Sequence, residues 1–342
     1  MYEETEFNLS QEADKFKIKF KYFKANKPKP SLHEVLSVNS DNDKVTQLKI
    51  NTVDDVRTGF LGLLNPSEWK LYSFLDHAGL LLIRNPFTSI GQRYWIRKCL
   101  EHYPLKPNKL NIDIDSQIEN WWAACHDSGN CNKELQKKLR WTTLGYHHNW
   151  DTKVYSEDNK TKFPEDLAEL TDVVASCLGF GFFRPQAAIV NYYHINSTLS
   201  PHTDHSEVNL DAPLFSVSFG QSAIFLIGGR SKSIEPSAIQ LDSGDIIVMS
   251  KEARLCYHAV PKILHSPFSP WNEKVETVCV SESTNFKYIK DQINFINDIN
   301  RNVKDSEWAA FDSYASECRI NMNVRQVLNE SQMCLNTNFN MH

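Results

Sequence analysis

The sequence predicts an α+β protein whose C-terminal half forms a small barrel or a two-sheet jelly roll, with helices packed against one sheet. Two observations lead to this prediction. Past Gly181, short β-type runs recur between turn residues, whereas the preceding half contains longer helical patterns and polar loops. The chain of 342 residues is long enough for one large catalytic domain with an extension, or for two domains.

Charge and hydropathy exclude two classes of protein. The net charge of −5 argues against a globally basic nucleic-acid binder, so contacts with polyanions would have to come from local patches. No apolar run approaches the roughly 18 residues that a membrane span requires. We therefore expect no membrane span, and we expect a monomer.

The first residues and the cysteines bear on the compartment. The opening MYEETEFNLS is acidic and has no apolar stretch, which argues against a secretory signal and weakens the case for a mitochondrial transit peptide. The eight cysteines are scattered without a C-x-x-C pair, which favours free thiols in a reducing compartment over a zinc ribbon. We predict an intracellular protein of the nucleus, mitochondrion or cytoplasm that is not secreted.

Residues 1–85 are predicted to form a mostly helical and loop-like extension. Within it, the run KFKIKFKYFKANKPK contains seven lysines and no acid. Phe16, Phe20 and Phe23 have helical spacing, although the alternation of lysine and apolar residues also fits a strand; we predict a helix. Its lysines form either a solvated face docked through the aromatic residues or a contact for nucleic acid. The polar residues 37–56 are predicted to be a linker or loop.

Two further helices are signalled more strongly. In TSIGQRYWIRKCLEHYP, Thr88 or Ser89 can cap a helix with one apolar face, and Pro104 follows its end. In FPEDLAELTDVVASCLGFG, Pro164 fits the first helical turn and Gly179 ends the helix.

The C-terminal half divides into strand-like runs. They read QAAIVNYY, PLFSVSFG, AIFLIGG, AIQL, DIIVMS, LCYHAV and INMNVRQV. Between Pro261 and Lys304 the pattern is weak, and we predict an insertion or a mobile loop there.

A pair of candidate metal ligands lies in the stretch SPHTDHSE. His202 and Asp204 are two positions apart, so on an extended chain they project to the same side, while His205 points the other way. The pair alone is weak evidence, because H-x-D occurs by chance in many proteins. Non-haem Fe(II) oxygenases complete such a pair with a second histidine and leave the other metal positions open.

The third ligand should come from another strand of the barrel. In LDSGDIIVMSKEARLCYHAVP, a turn, an apolar strand and a second turn precede His258, which lies in a β-like run. His265 is the rival, but it lies past Pro261 among loop residues, so we favour His258. The alternative for His258 is a core histidine whose ring is satisfied internally.

The last strand supplies a polar row. Polar and apolar residues alternate in RINMNVRQV, so the polar ones share one face. They are Arg319, Asn321, Asn323 and Arg325. Facing them inward would be costly unless they met a polar ligand, and a guanidinium binds a carboxylate through two hydrogen bonds, so a dicarboxylate fits. Arginines paired to internal acids are the alternative.

With these motifs, the chain resembles the AlkB family of Fe(II)/2-oxoglutarate dioxygenases. The ordered set N-x-Y, H-x-D, His and R-x5-R carries the resemblance, which extends from Trp95 to Val327. It is closest to the animal AlkB homologue 1 branch, judged by EHYPLKPN, LRWTTLGYHHNWD, SFGQSAIFLIGG, SGDIIVMS and NMNVRQVL. The resemblance implies a double-stranded β-helix (jelly-roll) core at residues 161–330, a nucleotide-recognition lid at 86–160 and a C-terminal tail at 331–342.

The resemblance also implies the residues that hold iron and the co-substrate. The catalytic, iron-ligating residues would be His202, Asp204 and His258. The residues that bind 2-oxoglutarate would be Asn191, Tyr193, Arg319 and Arg325. Of the two arginines, Arg319 would clamp the distal carboxylate and Arg325 would support the end nearer the metal.

Substrate contacts are implied for the lid. They would come from Trp141, Tyr146 and His148, with Trp95 near the nucleotide. The preceding run NKELQKKLRW is either a phosphate-binding patch or an ordinary exposed helix of mixed charge. The bacterial family member has an acidic residue two places after the iron-binding aspartate, where this chain has Ser206 followed by Glu207. The family's rule for base selection therefore does not transfer directly.

The implied activity is oxidative demethylation of nucleic acid. Fe(II), 2-oxoglutarate and O2 would together hydroxylate a methyl group on a base nitrogen, and the product would release formaldehyde. The expected substrates are 1-methyladenine in tRNA, N6-methyladenine in DNA, or both. One alternative is a 2-oxoglutarate-dependent oxygenase acting on a protein side chain. The other is a non-catalytic nucleic-acid-binding barrel, against which the intact ligand set argues.

Overall fold

The computed structural model describes residues 13–38, 42–49, 54–113, 118–127, 131–278 and 285–335. Its helices are α1 (Lys15–Lys24), α2 (Arg57–Phe60), α3 (Ser89–Arg97), α4 (Trp121–Cys125), α5 (Lys133–Lys138), α6 (Glu165–Cys177), α7 (Gln292–Asn300) and α8 (Asp305–Ala315). Its strands are β1 (Val45–Leu48), β2 (Lys70–Phe74), β3 (Leu80–Arg84), β4 (Lys109–Leu110), β5 (Trp141–Gly145), β6 (Ala187–His194), β7 (Leu199–His202), β8 (Leu214–Gly220), β9 (Ser222–Ile227), β10 (Ser237–Leu241), β11 (Ile246–Met249), β12 (His258–Leu264) and β13 (Cys318–Arg325).

Two antiparallel sheets pack face to face and form the jelly roll. Among the described residues, the larger sheet has nine strands in the order β1-β2-β3-β11-β8-β13-β6-β5-β4, and the smaller has four in the order β10-β9-β12-β7. Phe225 and Ile239 of the smaller sheet share one buried apolar cluster with Leu214 and Ile247 of the larger sheet. The predicted α+β fold with a jelly-roll core is confirmed.

Helices cover the outer face of the larger sheet. Residues of α3, α6, α7 and α8 form the main apolar core together with Ile320, Met322 and Val324 of β13. These three side chains are fully buried, whereas the polar residues between them line the space between the sheets. The predicted alternation along the last strand is therefore confirmed, and it turns the polar row toward the inside of the jelly roll.

The lysine-rich segment near the N-terminus forms the predicted helix, α1. Phe16, Phe20 and Phe23 are buried against Ile224 and Leu226 of β9 in one apolar cluster. The helix therefore docks on the outer face of the smaller sheet through its aromatic residues, and its lysines occupy the remaining faces.

The caps of two predicted helices are also visible. The Thr88 side chain accepts a hydrogen bond from the Gly91 amide at 3.2 Å, which caps α3 as predicted. Pro164 occupies the N-cap of α6 rather than its first turn. In the described part of the chain, no helix is long and apolar enough to cross a bilayer.

The prediction of a helical and loop-like N-terminal extension was incomplete. Strands β1, β2 and β3 continue the larger sheet beyond β11, and β1 lies within residues 37–56, which were predicted to be a linker or loop. The sequence LLLIR of β3 shows no alternation, because most of its side chains are buried on both faces of the sheet. Such a short apolar run has no period that distinguishes a strand from a helix.

The prediction of an insertion or mobile loop between Pro261 and Lys304 was wrong for the described residues of that stretch. Strand β12 continues to Leu264, and α7 buries Phe295 and Ile299 in the main core. Trp271 is fully buried, and its carbonyl accepts a hydrogen bond of 2.7 Å from the Arg93 guanidinium. Residues 279–284 lie outside the described ranges.

Candidate active site

A cavity of about 590 Å³ lies between the two sheets. One wall consists of the polar face of β13 and the neighbouring strand β6, and the other of apolar side chains that include Phe225 and Val260. Residues 146–160, here called the flap, border the cavity on one side. An isolated β-bridge between Tyr146 and Lys160 closes the base of the flap.

Three metal-ligating side chains meet at one end of this cavity. His202 ends β7 and His258 begins β12, and the two are direct register partners in the smaller sheet. Asp204 follows β7, and its carboxylate oxygens lie 3.9 Å from His202 Nε2 and 3.7 Å from His258 Nε2. The possible ligand atoms of all three lie within 4.8 Å of one another, so they could hold a metal ion. His265 lies beyond the end of β12 and does not join them.

Hydrogen bonds fix the orientation of both imidazoles. His202 Nδ1 lies 2.9 Å from the Ser200 carbonyl oxygen, and His258 Nδ1 lies 3.1 Å from the Cys256 carbonyl oxygen. A carbonyl oxygen only accepts, so each Nδ1 carries a proton, which leaves Nε2, on the side of Asp204, as the nitrogen available to a metal. This is the tautomer that a metal ligand requires.

The charge state of the cluster also suits a metal. Burial, together with the neighbouring His202, lowers the pKa of His258 to about 4, so its imidazole is neutral at pH 7. Burial alone would raise the pKa of Asp204, but the Arg325 guanidinium and the two histidines hold it well below its ordinary value. Two imidazoles and one carboxylate are the donor set that non-haem Fe(II) sites use.

Asp204 itself is held by two buried arginines. Arg325 donates to its Oδ2 at 2.9 Å, and Arg254 donates to its main-chain carbonyl at 2.6 Å. Glu207 lies between the arginines, 2.9 Å from Arg254 Nη2 and 3.3 Å from Arg325 Nε. For Arg325, the alternative of an arginine paired to internal acids therefore describes the arrangement that is present.

Arg319, at the other end of the same polar row, has a different environment. Only 2% of its surface is exposed, and it donates to Ser218 Oγ at 2.7 Å and to the Gln221 carbonyl at 3.3 Å. Within the described residues it forms no ion pair, and its Nε has no hydrogen-bond partner. Burial lowers the pKa of its guanidinium, which reflects the cost of an uncompensated charge. An orphaned donor of this kind fits a carboxylate ligand.

Asn191 and Tyr193 lie beside this arginine. They belong to β6, where Tyr193 is the register partner of Arg319 and Asn191 that of Asn321. Both line the cavity, and burial raises the pKa of Tyr193 to about 12, so its hydroxyl stays protonated and can donate. The metal cluster at one end and these donors at the other fit a small dicarboxylate such as 2-oxoglutarate between them.

Comparison with known proteins agrees with this geometry. The family model described as the 2OG-Fe(II) oxygenase superfamily matches residues 79–325. This chain belongs to the 2OG-Fe(II) oxygenase superfamily.

The oxygenase is similar in sequence to curated proteins that are named as nucleic-acid dioxygenases or demethylases. It is 36% identical over 321 residues to the nucleic acid dioxygenase ALKBH1 of Mus musculus, covering 90% of this chain and 77% of that protein. It is 32% identical to the tRNA demethylase abh1 of Schizosaccharomyces pombe, covering 74% of this chain and 86% of the relative. It is 30% identical to the DNA N(6)-methyladenine demethylase ALKBH1A of Arabidopsis thaliana, covering 74% and 76% respectively.

Two of the four residues expected to contact substrate lie at or near the cavity of the oxygenase. His148 lines it, with Nε2 3.1 Å from Ser206 Oγ and a buried Nδ1 that has no hydrogen-bond partner in the described part of the chain. Trp141 does not line the cavity itself, but its ring lies 5.1 Å from that of Trp150, which does. Trp150 is 40% exposed and forms a T-shaped contact with His148.

The structure gives the other two residues positions that do not support a direct substrate contact in the oxygenase. Trp95 is fully buried in the main core, and its indole N–H donates to the Leu61 carbonyl at 3.1 Å. Tyr146 is buried at the base of the flap, where its hydroxyl donates to Glu157. Neither lines the cavity. Both were expected at the substrate because the family resemblance implied it, but their own polar atoms are already satisfied by protein.

The basic run before β5 is partly neutralised. Lys133 pairs with Glu317 at 2.7 Å, and Lys137 pairs with Glu134 at 3.1 Å. These two contacts favour the exposed helix of mixed charge over a dedicated phosphate patch.

Sequence reasoning missed several residues of the oxygenase site. Trp150 and Lys153 of the flap line the cavity, and Tyr155 donates to Glu207 at 3.2 Å. Arg254, which holds Asp204, lies in the short turn before β12. Aromatic residues so close to WTTLGYHH could have been suspected, but the contacts of Arg254 join segments that are remote in sequence and follow no local pattern.

Proposed function

We propose that this chain is an Fe(II)- and 2-oxoglutarate-dependent nucleic-acid dioxygenase that demethylates methylated bases and releases formaldehyde. The observation that carries the proposal is the cluster of His202, Asp204 and His258 in a cavity that also contains Arg319. Among the described residues, Arg319 has no acid partner. The printed names of the relatives, which include a tRNA demethylase and a DNA N(6)-methyladenine demethylase, supply the substrate class.

Each group has one task in this proposal. His202, Asp204 and His258 would hold Fe(II), and Arg319 with Tyr193 would bind the distal carboxylate of 2-oxoglutarate. When bound, iron with 2-oxoglutarate and O2 supplies the oxidation of a methyl C–H bond to C–OH. On the opposite wall, the Phe225 ring lies 5.9 Å from the His258 ring and offers water no hydrogen-bond partner beside the proposed metal site.

The flap provides the substrate side. A base inside a duplex or folded RNA is out of reach, so it must leave its stack to enter the cavity. Trp150, the adjacent Trp141 and His148 offer ring faces on which an extruded base can stack, and Lys153 at the same edge is available for a phosphate.

The product then explains the loss of the methyl group. A hydroxymethyl group attached to a base nitrogen is a hemiaminal. Its C–N bond breaks as the hydroxyl proton is transferred to nitrogen, which leaves the unmodified base and formaldehyde. We propose 1-methyladenine in tRNA, N6-methyladenine in DNA, or both as substrates.

The test uses tRNA and methylated DNA side by side. The purified protein is incubated with Fe(II), ascorbate and 2-oxoglutarate, and modified nucleosides, succinate and formaldehyde are quantified. We expect one or both of the methyl marks to fall with a matching amount of formaldehyde. His202→Ala should abolish the loss, whereas His265→Ala should retain it, since His265 is an exposed histidine outside the cluster.

Two outcomes would contradict parts of the proposal. Equal turnover by wild type and His202→Ala would refute the iron assignment. Succinate formation without loss of either methyl mark would refute the nucleic-acid substrate and favour a protein side chain instead.

A further inference from the structure

The aspartate of the metal cluster lies in a segment without regular structure. Residues 203–213 form neither helix nor strand between β7 and β8. Backbone pairing therefore fixes His202 and His258 but not Asp204, whose position depends on side-chain contacts. Those contacts converge on one buried acid, Glu207.

Glu207 uses both carboxylate oxygens inside the protein. Its side chain is 1% exposed, and Oε2 accepts from Arg254 at 2.9 Å. Its Oε1 lies 3.3 Å from Arg325 Nε and accepts from the Tyr155 hydroxyl at 3.2 Å. The acid is therefore directed at protein partners on three separate elements and is not available to a base in the cavity.

Arg254 and Arg325, which both contact Glu207, also both donate to Asp204. Arg325 holds the carboxylate through Oδ2, and Arg254 holds the main-chain carbonyl. Two buried acids and two buried arginines thus form a closed unit without net charge. Such units are stable only as long as each charge keeps its partner.

We propose that Glu207 is a positioning residue for the metal centre. By engaging Arg325 through Nε, it keeps that guanidinium on one oxygen of Asp204 and leaves the other oxygen for the metal. Without the charge of Glu207, Arg325 has a single acid partner and takes both oxygens of Asp204 as a bidentate pair, which competes with the metal.

Tyr155 extends the same unit to the flap. Its hydroxyl links Glu207 to the segment that carries Trp150, and His148 makes a second link to Ser206. The flap is thereby fastened to the segment that carries the metal ligand, at two consecutive residues. Glu207 serves both the metal and the flap through one carboxylate.

The experiment measures metal affinity without nucleic acid, because the inference rests on the iron assignment made above. Mn(II) serves as the probe and is titrated into wild type and Glu207→Gln, with 2-oxoglutarate present and absent, by calorimetry. We expect the Mn(II) dissociation constant to rise roughly tenfold or more in the variant, the size of effect seen when outer hydrogen-bond partners of metal ligands are removed.

A matched variant separates positioning from general loss of stability. Asp172→Asn also removes a buried acid that pairs with two cations, Arg57 at 3.1 Å and Lys287 at 2.6 Å, but at a distant site. It should lower the melting temperature and leave the Mn(II) affinity within twofold of wild type. A further pair of variants tests the route through Arg325. The double variant Glu207→Gln/Arg325→Gln should bind Mn(II) as tightly as Arg325→Gln alone, because Glu207 acts through that guanidinium.

The outcomes are distinct. Wild-type Mn(II) affinity in Glu207→Gln, with a lowered melting temperature, would overturn the inference and leave Glu207 a structural residue. Weaker Mn(II) binding by the double variant than by Arg325→Gln alone would refute action through Arg325. Absence of Mn(II) binding by the wild-type protein would instead refute the iron assignment itself.

Discussion

Arg319 and Arg325 lie on the same face of the same strand, yet they have different kinds of partner at the two ends of the cavity. Arg325, at the metal end, contacts Asp204 at 2.9 Å and Glu207 at 3.3 Å. Arg319, at the opposite end, is just as buried but has a hydroxyl and a carbonyl as its partners, and its Nε has none among the described residues. The metal end is electrostatically complete within the protein, and the other end is not.

This difference separates two uses of a buried arginine. A buried charge without an ionic partner lowers stability, so the chain tolerates Arg319 at a cost that a bound carboxylate would offset. Arg325 carries no such deficit, because its charge pairs with Asp204, a proposed ligand of the metal. Arg319 therefore indicates a binding site for a carboxylate ligand, whereas Arg325 stabilises the arrangement of the protein's own side chains.

Removal of Arg325 should give the largest effect. Arg325→Met leaves Asp204 and Glu207 close together with one cation fewer between them. We expect the free energy of unfolding to fall by about 3–5 kcal/mol, the cost of breaking a buried ion pair from one side. Urea denaturation at pH 7 measures this change, and a loss below about 1 kcal/mol would contradict the completeness of the metal end.

Removal of Arg319 should weaken the binding of 2-oxoglutarate without lowering the free energy of unfolding. Arg319→Met is expected to raise the dissociation constant of 2-oxoglutarate roughly 100-fold, because two charge-assisted hydrogen bonds contribute about 1.5 kcal/mol or more each. The free energy of unfolding should stay the same or increase, since an uncompensated charge leaves the interior. Calorimetry of the Mn(II)-loaded protein gives the affinity, and urea denaturation gives the stability. A loss of stability like that of Arg325→Met would remove the contrast between the two ends.

Low pH should lower the free energy of unfolding through His147, a buried residue of the flap. His147, near the base of the flap, is buried, with Nδ1 2.7 Å from Thr143 Oγ1, and burial followed by the Lys109 charge lowers its pKa to about 4. The folded protein therefore disfavours the protonated ring. Its contribution to stability is complete above the unfolded pKa of about 6.5 and is lost as the pH falls toward 4, by about 2 kcal/mol.

The variant His147→Gln tests this pH dependence. Glutamine can still bond to Thr143 but does not titrate. Urea denaturation at pH 7, 5.5 and 4.5 should show that the variant loses about 2 kcal/mol less than wild type over this interval. Parallel losses in both proteins would assign the acid sensitivity to other groups.

The metal end was predictable from sequence because its pattern is local and strand-based. His202 and Asp204 have the spacing that places two side chains on one side of an extended chain. His258 was preferred to His265 because it lies in a β-like run, whereas His265 follows Pro261 among loop residues. The strand register places His258 directly opposite His202. The polar row of β13 followed from strict alternation, and in the structure the apolar residues join the main core while the polar residues line the cavity.

The remaining features depend on contacts between distant segments. In sequence, Glu207 is an acid next to the position where the bacterial family member has one, which suggests a substrate contact. Only the positions of Arg254 and Tyr155 show that its oxygens are directed into the protein. Trp95 illustrates the converse, because an aromatic residue in a motif resembling the family's can equally be core. Strand β3 escaped prediction because burial on both faces removes the alternation that identifies a strand.

The carbonyl contacts of the two histidines bear on which metal the protein acquires in a cell. Because Ser200 and Cys256 fix both rings before any ion arrives, no rearrangement of the imidazoles is left to discriminate between ions. Affinity at such a preorganised nitrogen and oxygen site follows the general order in which Fe(II) binds more weakly than Co(II), Ni(II), Cu(II) and Zn(II). If the proposed site holds Fe(II), its occupancy would therefore depend on the supply of metals around the protein, and an excess of nickel would compete with iron for the same three side chains.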